Sequence, residues 1–166
     1  DRSNSNYIAA IDLGSNSFHM IIAKWDNDQL VVLDRLRDPV RMGWGLGSDG
    51  SLSEDARLRA LNCLEKFGER LREYPSRSVR IVGTKTLRSI SDSTQFLADA
   101  QQRLGHPVEI ISGDEEARLI YLGVAHCIAP KDGKRLVMDI GGGSTEIIVG
   151  EGMSPLIKES LNMGCV

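Results

Sequence analysis

The sequence predicts an α/β fold with a mixed sheet, and three observations carry that prediction. Apolar, β-friendly runs follow one another from Tyr7 to Leu36 with only short turns between them. From Glu54 onward, stretches with helical apolar spacing alternate with short strands. The composition, 41% apolar and 26% charged over 166 residues, is that of an ordinary globular chain and excludes collagen, low-complexity disorder and a coiled coil. That length suits one domain, or one domain and a piece of another.

Tyr7 to Leu13 is the first strand, ended by the turn-forming Gly14-Ser15-Asn16-Ser17. Phe18 to Trp25 is the second, Asp26-Asn27-Asp28 a turn, and Leu30 to Leu36 the third; turns this short predict an antiparallel meander. Asp38 to Gly50 contains Pro39, Gly43, Gly45, Gly47 and Gly50 and predicts a long, mobile connection. Ser51 precedes Glu54 at capping-box spacing, opening a helix from Glu54 to Tyr74. Leu58, Leu61, Leu64, Phe67 and Leu71 lie on its apolar face, and Pro75 stops it. Val79 to Val82 is a strand, Ser91 to Leu104 a helix ended by Gly105 and Pro107, Val108 to Ile111 a strand, and Asp114 to Ile128 a helix. Leu136 to Ile140 and Thr145 to Val149 are strands joined by the turn Gly141 to Ser144, and Pro155 to Leu161 is a final strand.

Charge and cysteine usage narrow the function classes. Lys and Arg number 20 against 23 Asp and Glu, a net charge of −3. No global positive field draws such a chain to nucleic acid or to an anionic membrane, so any polyanion site has to be local. Cys63, Cys127 and Cys165 are odd in number and widely spaced, which predicts no disulfide framework and fits a reducing cytoplasm. No apolar run approaches the roughly 18 residues of a membrane helix, and Asp1 to Asn6 is polar, so neither an integral membrane segment nor a signal peptide is expected.

One internal repeat carries chemistry. Ile11-Asp12-Leu13-Gly14-Ser15-Asn16-Ser17 parallels Met138-Asp139-Ile140-Gly141-Gly142-Gly143-Ser144, and each is followed by a second apolar strand. Glycine at a strand-to-strand turn lets backbone approach a ligand, and successive N–H groups there make an anion-binding concavity. Ser15, Ser17, Ser144 and Thr145 add hydroxyls, while Asp12 and Asp139 stand at strand ends suited to a hydrated Mg²⁺ against phosphate. A single such turn is read as a plain hairpin; two matching turns, each preceded by Asp, point to two related lobes offering turns to one ligand. Gly113-Asp114-Glu115-Glu116-Ala117-Arg118 opens a helix, and its acids serve the helix dipole as readily as they would supply a general base. Arg88 follows a strand end, where ligands collect in α/β sheets, and reads equally as a solvated surface residue. Gly45-Leu46-Gly47-Ser48-Asp49-Gly50 matches G-x-G-x-x-G but follows no strand, so it is read as a loop. His126-Cys127 has no paired spacing for zinc, and His19 is read as packing or positioning.

Taken together, Ala10 to Met20, Gly83 to Arg88, Ile111 to Ile120 and Asp139 to Glu146, with the ending Met163-Gly164-Cys165-Val166, resemble the exopolyphosphatase and guanosine pentaphosphate phosphohydrolase family. The resemblance covers nearly the whole chain in the family's order. It implies a ribonuclease-H-like, actin-type lobe over 7–130 and the opening strands of a second over 131–166, an N-terminal portion of a longer protein that is a homodimer. It implies Glu116 as the base that activates water, Asp139 and Glu146 as holders of Mg²⁺, and Asp12 as a further metal or water contact. Gly14, Ser15, Asn16 and Ser17 would form one phosphate loop, Gly141, Gly142, Gly143 and Ser144 the other, with Arg88 on phosphate. The implied activity is release of orthophosphate from polyphosphate, or conversion of guanosine pentaphosphate to tetraphosphate in the stringent response. The paired turns fit equally a non-catalytic regulatory module that binds nucleotide or polyphosphate; Glu116 is what a pure binder has no need of. Lys24, Arg35, Arg37 and Arg41 could line a basic channel for a long polyanion.

Overall fold

The computed structural model describes residues 6–27, 29–129 and 132–166. The polar start Asp1 to Ser5, Asp28 of the second turn, and the expected domain junction at Pro130 and Lys131 lie outside the described residues.

Three antiparallel strands open the chain as expected: β1 (Tyr7–Leu13), β2 (Phe18–Asp26) and β3 (Gln29–Asp38). Helix α1 (Glu54–Leu71), β4 (Val79–Gly83), α2 (Lys85–Ser89), α3 (Ser93–Leu104) and β5 (Glu109–Ile110) follow. β4 pairs parallel with β1, and β5 parallel with β4, giving a mixed sheet in the order β3-β2-β1-β4-β5. One face, with Ile11, Leu13, Met20, Ile22 and Ile81, packs with Leu64, Phe67, Leu71, Phe96 and Leu104 of the helices in a single core. Side chains alternate across a strand, so Asp12, His19 and Arg37, aligned across β1, β2 and β3, lie on the other face.

Several details depart from the expected pattern. The cap of α1 is Ser53, whose hydroxyl accepts from Ala56 N, because Ser51 instead donates to Asp49 Oδ1 at 2.6 Å. Leu58 is 52% exposed; the buried stripe runs through Ala56, Ala60, Cys63, Leu64 and Phe67, and Leu58 falls outside it. Gly47 to Gly50 closes as a tight turn through Gly47 N to Ser51 O at 2.8 Å and Gly50 N to Gly47 O at 3.0 Å, not as a strand-to-helix nucleotide loop. Helix α2 arises inside the stretch read only as a strand end, and α3 begins at Ser93 rather than Ser91.

The backbone divides after Ile110. The second unit holds helix α4 (Gly113–Cys127) and the antiparallel strands β6 (Lys134–Ile140), β7 (Thr145–Glu151) and β8 (Ser154–Leu161). The expected first lobe, 7–130, includes this helix, with a junction at 130/131. Its contacts place it with the three strands, since Ala117 and Tyr121 form a core with Val137 and Ile148. Tyr121 is fully buried, its ring lies where a side chain on Gly150 would stand, and its hydroxyl donates to Gly152 O at 3.1 Å. With so small a core, Tyr121→Ala is expected to destabilise this unit by about 3–5 kcal/mol, read by urea unfolding of the full-length protein. On the sheet face turned from α4, Leu136, Met138, Ile140 and Ile157 are 55–64% exposed.

Candidate functional site

The first turn is built by its neighbours as much as by its own residues. β1 and β2 close at Leu13 and Phe18, leaving Gly14 to Ser17 as the connection. A Cβ on Gly14 would stand 3.0 Å from Ser17 O, so the turn is tightest where glycine stands. Ser15 and Ser17 are each only 6% exposed. The segment after β3 then braces the turn: Arg41 N donates to Asn16 O and Gly43 N to Ser15 O, both at 2.8 Å. Two side chains complete the frame. Thr86 of α2 donates to Ser15 Oγ at 2.6 Å, and Arg37 Nε reaches Ser17 Oγ at 3.4 Å. Arg88 lies on the same five-residue helix as Thr86 and is half-buried. His19 stands between Asp12 and Arg37 in the cross-strand row. Burial, and secondarily the Arg37 charge, hold its imidazole below its usual pKa, so it is neutral near pH 7.

The second turn repeats the device. β6 and β7 close at Ile140 and Thr145, a Cβ on Gly141 would again stand 3.0 Å from the carbonyl of the turn's serine, here Ser144, and Gly141 N donates to that carbonyl at 2.9 Å. The segment after the third strand again braces it: Cys165 N donates to Gly141 O and Val166 N to Gly142 O, both at 3.0 Å. Thr145 Oγ1 donates to Met163 O at 2.8 Å and ties that segment down. The likeness of the two turns therefore extends from residues to hydrogen bonding, since in each the chain's own N–H groups take up turn carbonyls and fix the turn's shape.

Beside the second turn stand the carboxylates. Asp139 and Glu146 are directly opposite one another on β6 and β7, and Ser160 follows on β8. Opposite residues of an antiparallel pair share a face with Cβ atoms about 5 Å apart. Asp139 is exposed, whereas Glu146 is 1% exposed and accepts from Ser160 Oγ at 2.8 Å. A carboxylate so buried beside a second carboxylate is stabilised by a cation. Within the described residues, no three or more His, Cys, Asp or Glu side chains cluster as a metal cage. Two carboxylates side by side at the end of a hairpin suit Mg²⁺, which is held through one or two carboxylates and otherwise keeps water or phosphate oxygens.

Asp139 and Glu146 lie two residues along their strands from Val137 and Ile148, and so share the face on which α4 packs. The direction of α4 follows from its bonds. Lys158, opposite Ile148, pairs with Asp114 in the first turn of α4 at 2.9 Å, while Tyr121 reaches Gly152 in the hairpin at the sheet's other end. The helix start therefore lies toward the turn of Gly141 to Ser144, and the second unit brings Glu116 to the same face and the same end as Asp139 and Glu146. Ser112 caps α4 by accepting from Glu115 N at 3.2 Å. Asp114 is engaged with Lys158, and Glu115 holds Arg118 through bonds of 2.7 and 2.8 Å. Glu116, also in the first turn, is half-buried.

Each unit thus assembles part of the expected set: Asp12, Gly14 to Ser17 and Arg88 in the first, Glu116, Asp139, Glu146 and Gly141 to Ser144 in the second. Sequence reasoning missed Thr86 and the contact of Arg37 with Ser17, since both arise from pairing distant in sequence. The bracing of the second turn by Cys165 and Val166 likewise has no local signal in the sequence. Of the expected basic channel, Lys24 pairs with Asp26 at 3.6 Å at the far end of β2, while Arg37 reaches the turn by its side chain and Arg41 by its backbone N–H. Cys63 is no nucleophile: burial, and then the Asp38 carboxylate, push its thiol up to about 12.

The Ppx/GppA phosphatase family matches residues 21–166. The guanosine-5'-triphosphate,3'-diphosphate pyrophosphatase of Vibrio cholerae is 49% identical over 158 residues, covering 95% of this chain and 32% of its own length. A crystal structure of an exopolyphosphatase from Cytophaga hutchinsonii superimposes with a TM-score of 0.89 at 36% identity, over 95% of this chain and 51% of that one. The Aquifex aeolicus PPX-GPPA enzyme gives a TM-score of 0.83 at 30% identity, over 96% and 53%. The chain spans between 32% and 51% of the length of the curated relatives it matches first.

Proposed function

The chain belongs to the Ppx/GppA phosphatase family, and from that premise we propose that the protein it forms part of is a phosphoanhydride hydrolase. It would release terminal orthophosphate from inorganic polyphosphate, convert guanosine pentaphosphate to tetraphosphate, or both. The observation that carries this reading is the pair of turns braced alike, one of them beside buried Glu146, Asp139 and the helix start bearing Glu116.

Phosphoryl transfer asks for positioning and charge neutralisation more than for covalent chemistry by the protein. Ser15, Ser17 and the backbone of Gly14 to Ser17 hold phosphate oxygens, and Gly141 to Ser144 are a second such turn. Arg88 neutralises charge, and Asp12 orients water or metal. Glu116 takes a proton from the attacking water as its oxygen bonds to the terminal phosphorus; the bridging bond breaks, and the shortened polyanion leaves with the bridging oxygen. Asp139 and Glu146 would hold Mg²⁺, which when bound supplies positive charge against the phosphate oxygens. The reading carries with it a cytoplasmic protein that acts as a homodimer in the stringent response. Among the described residues, no helix is long and apolar enough to cross a membrane.

The test is side-by-side hydrolysis of long-chain polyphosphate and guanosine pentaphosphate by the full-length protein, with and without chelator. Release of orthophosphate from at least one, lost on chelation and restored by Mg²⁺, is expected. Tight binding of either substrate with no release would establish the non-catalytic module instead.

A further inference from the structure

Trp44 is the most exposed large hydrophobic residue described, at 74%. An indole offers a large, rigid π face, and here it stands in a segment whose backbone is bonded to the candidate turn. Its backbone is held on both sides. Met42 is fully buried, Gly43 N is bonded to Ser15 O of the first turn, Gly45 O accepts from Ser53 N at 2.8 Å, and a side chain on Gly45 would collide with the Ala56 methyl. Arg41, two residues before Gly43, takes a left-handed conformation, φ 54° and ψ 46°, and donates to Asn16 O from there. A non-glycine residue held in that region costs energy that the surrounding bonds must offset, and such positions cluster at ligand sites. The 3-10 turn Met42–Gly45 therefore keeps its indole one residue from the bond that shapes the phosphate turn.

We propose that the Trp44 indole is a stacking platform for the purine of a guanosine polyphosphate whose phosphates occupy the neighbouring turn. This inference rests on the hydrolase reading and deepens it, by assigning to one residue the choice between the two substrates. Stacking on an indole needs only a π face, which a purine has and an inorganic phosphate chain lacks. A tryptophan fixed by its backbone loses little conformational freedom on binding.

The experiment uses the full-length protein and its Trp44→Ala and Trp44→Phe variants with guanosine pentaphosphate and long-chain polyphosphate. Trp44→Ala is expected to lower the ratio of kcat/KM for guanosine pentaphosphate over polyphosphate about tenfold, chiefly through KM, with Trp44→Phe recovering most of it. Indole emission should be quenched by guanosine pentaphosphate and not by inorganic tripolyphosphate, and the quenching should vanish in Trp44→Phe; Trp25 lies at the opposite end of β2 from the turn and remains as an internal reference. An unchanged ratio, equal quenching by both ligands, or wild-type protein that turns over polyphosphate alone overturns the inference and leaves the hydrolase reading standing. If neither substrate is hydrolysed, the hydrolase reading falls, and the emission titration alone decides whether the indole meets the base.

Discussion

Glu116→Gln in the full-length protein is expected to lower phosphate release by about 10²–10⁴-fold, the usual worth of a positioned general base. The substitution keeps the side chain's size and its place in the first turn of α4 while removing the carboxylate's charge and its ability to accept a proton. Neighbouring acids make the control. Asp114 is bonded to Lys158 and Glu115 to Arg118, so Asp114→Asn and Glu115→Gln alter bonds that hold the helix in place. Those variants should shift the thermal midpoint more than the rate. The measurement is kcat at saturating substrate together with Kd and Tm for each variant. A Glu116→Gln protein that binds substrate and releases phosphate at the wild-type rate would remove the residue from the mechanism.

Gly164→Ala is expected to lower kcat/KM about 10²-fold without unfolding the protein. A Cβ at position 164 would stand 2.2 Å from Gly142 O, 2.4 Å from Gly142 C and 2.6 Å from Gly143 N. All three are backbone atoms of the second turn, so no side-chain rotation relieves the collision, and either the turn or the brace has to move. Displacing the brace also breaks the bonds from Cys165 N and Val166 N to the turn carbonyls. A shift of about 1 Å in a positioning group costs roughly 10²-fold in rate. Cys165→Ser serves as the comparison, since its backbone bond survives the change and its side chain is exposed. Kinetics of the two variants, with thermal melts alongside, decide the matter; equal activity of Gly164→Ala and wild type would mean that the turn does not need its brace.

Local pattern was legible in this chain wherever one face of an element meets a core. The meander of β1 to β3, α1 with Leu61, Leu64, Phe67 and Leu71, and the strands flanking Gly141 to Ser144 were all readable, because alternation and helical spacing report burial directly. Leu58 and Ser51 mark the limit of such reading. Each fits a local rule, yet Leu58 lies off the buried stripe and Ser51 turns to Asp49, and which of two serines caps a helix depends on where the loop before it goes. Helix α2 escaped notice because five residues carry too little periodicity to be seen.

By itself the sequence determined the α/β class, the two Asp-and-glycine turns and the acids that stand near them, since these rest on residue types at short spacing. Tertiary structure alone decided which of them stand together. α4 joins β6 to β8 because Ala117 and Tyr121 bury against Val137 and Ile148, and that packing sets the helix bearing Glu116 on the sheet face that carries Asp139 and Glu146. Likewise, Arg37 and Thr86 reach the first turn, and Cys165 and Val166 the second, through partners 20 or more residues away. Such contacts depend on how strands register and where helices dock, and a hydrogen bond between distant backbone groups leaves no trace in the side chains that flank it.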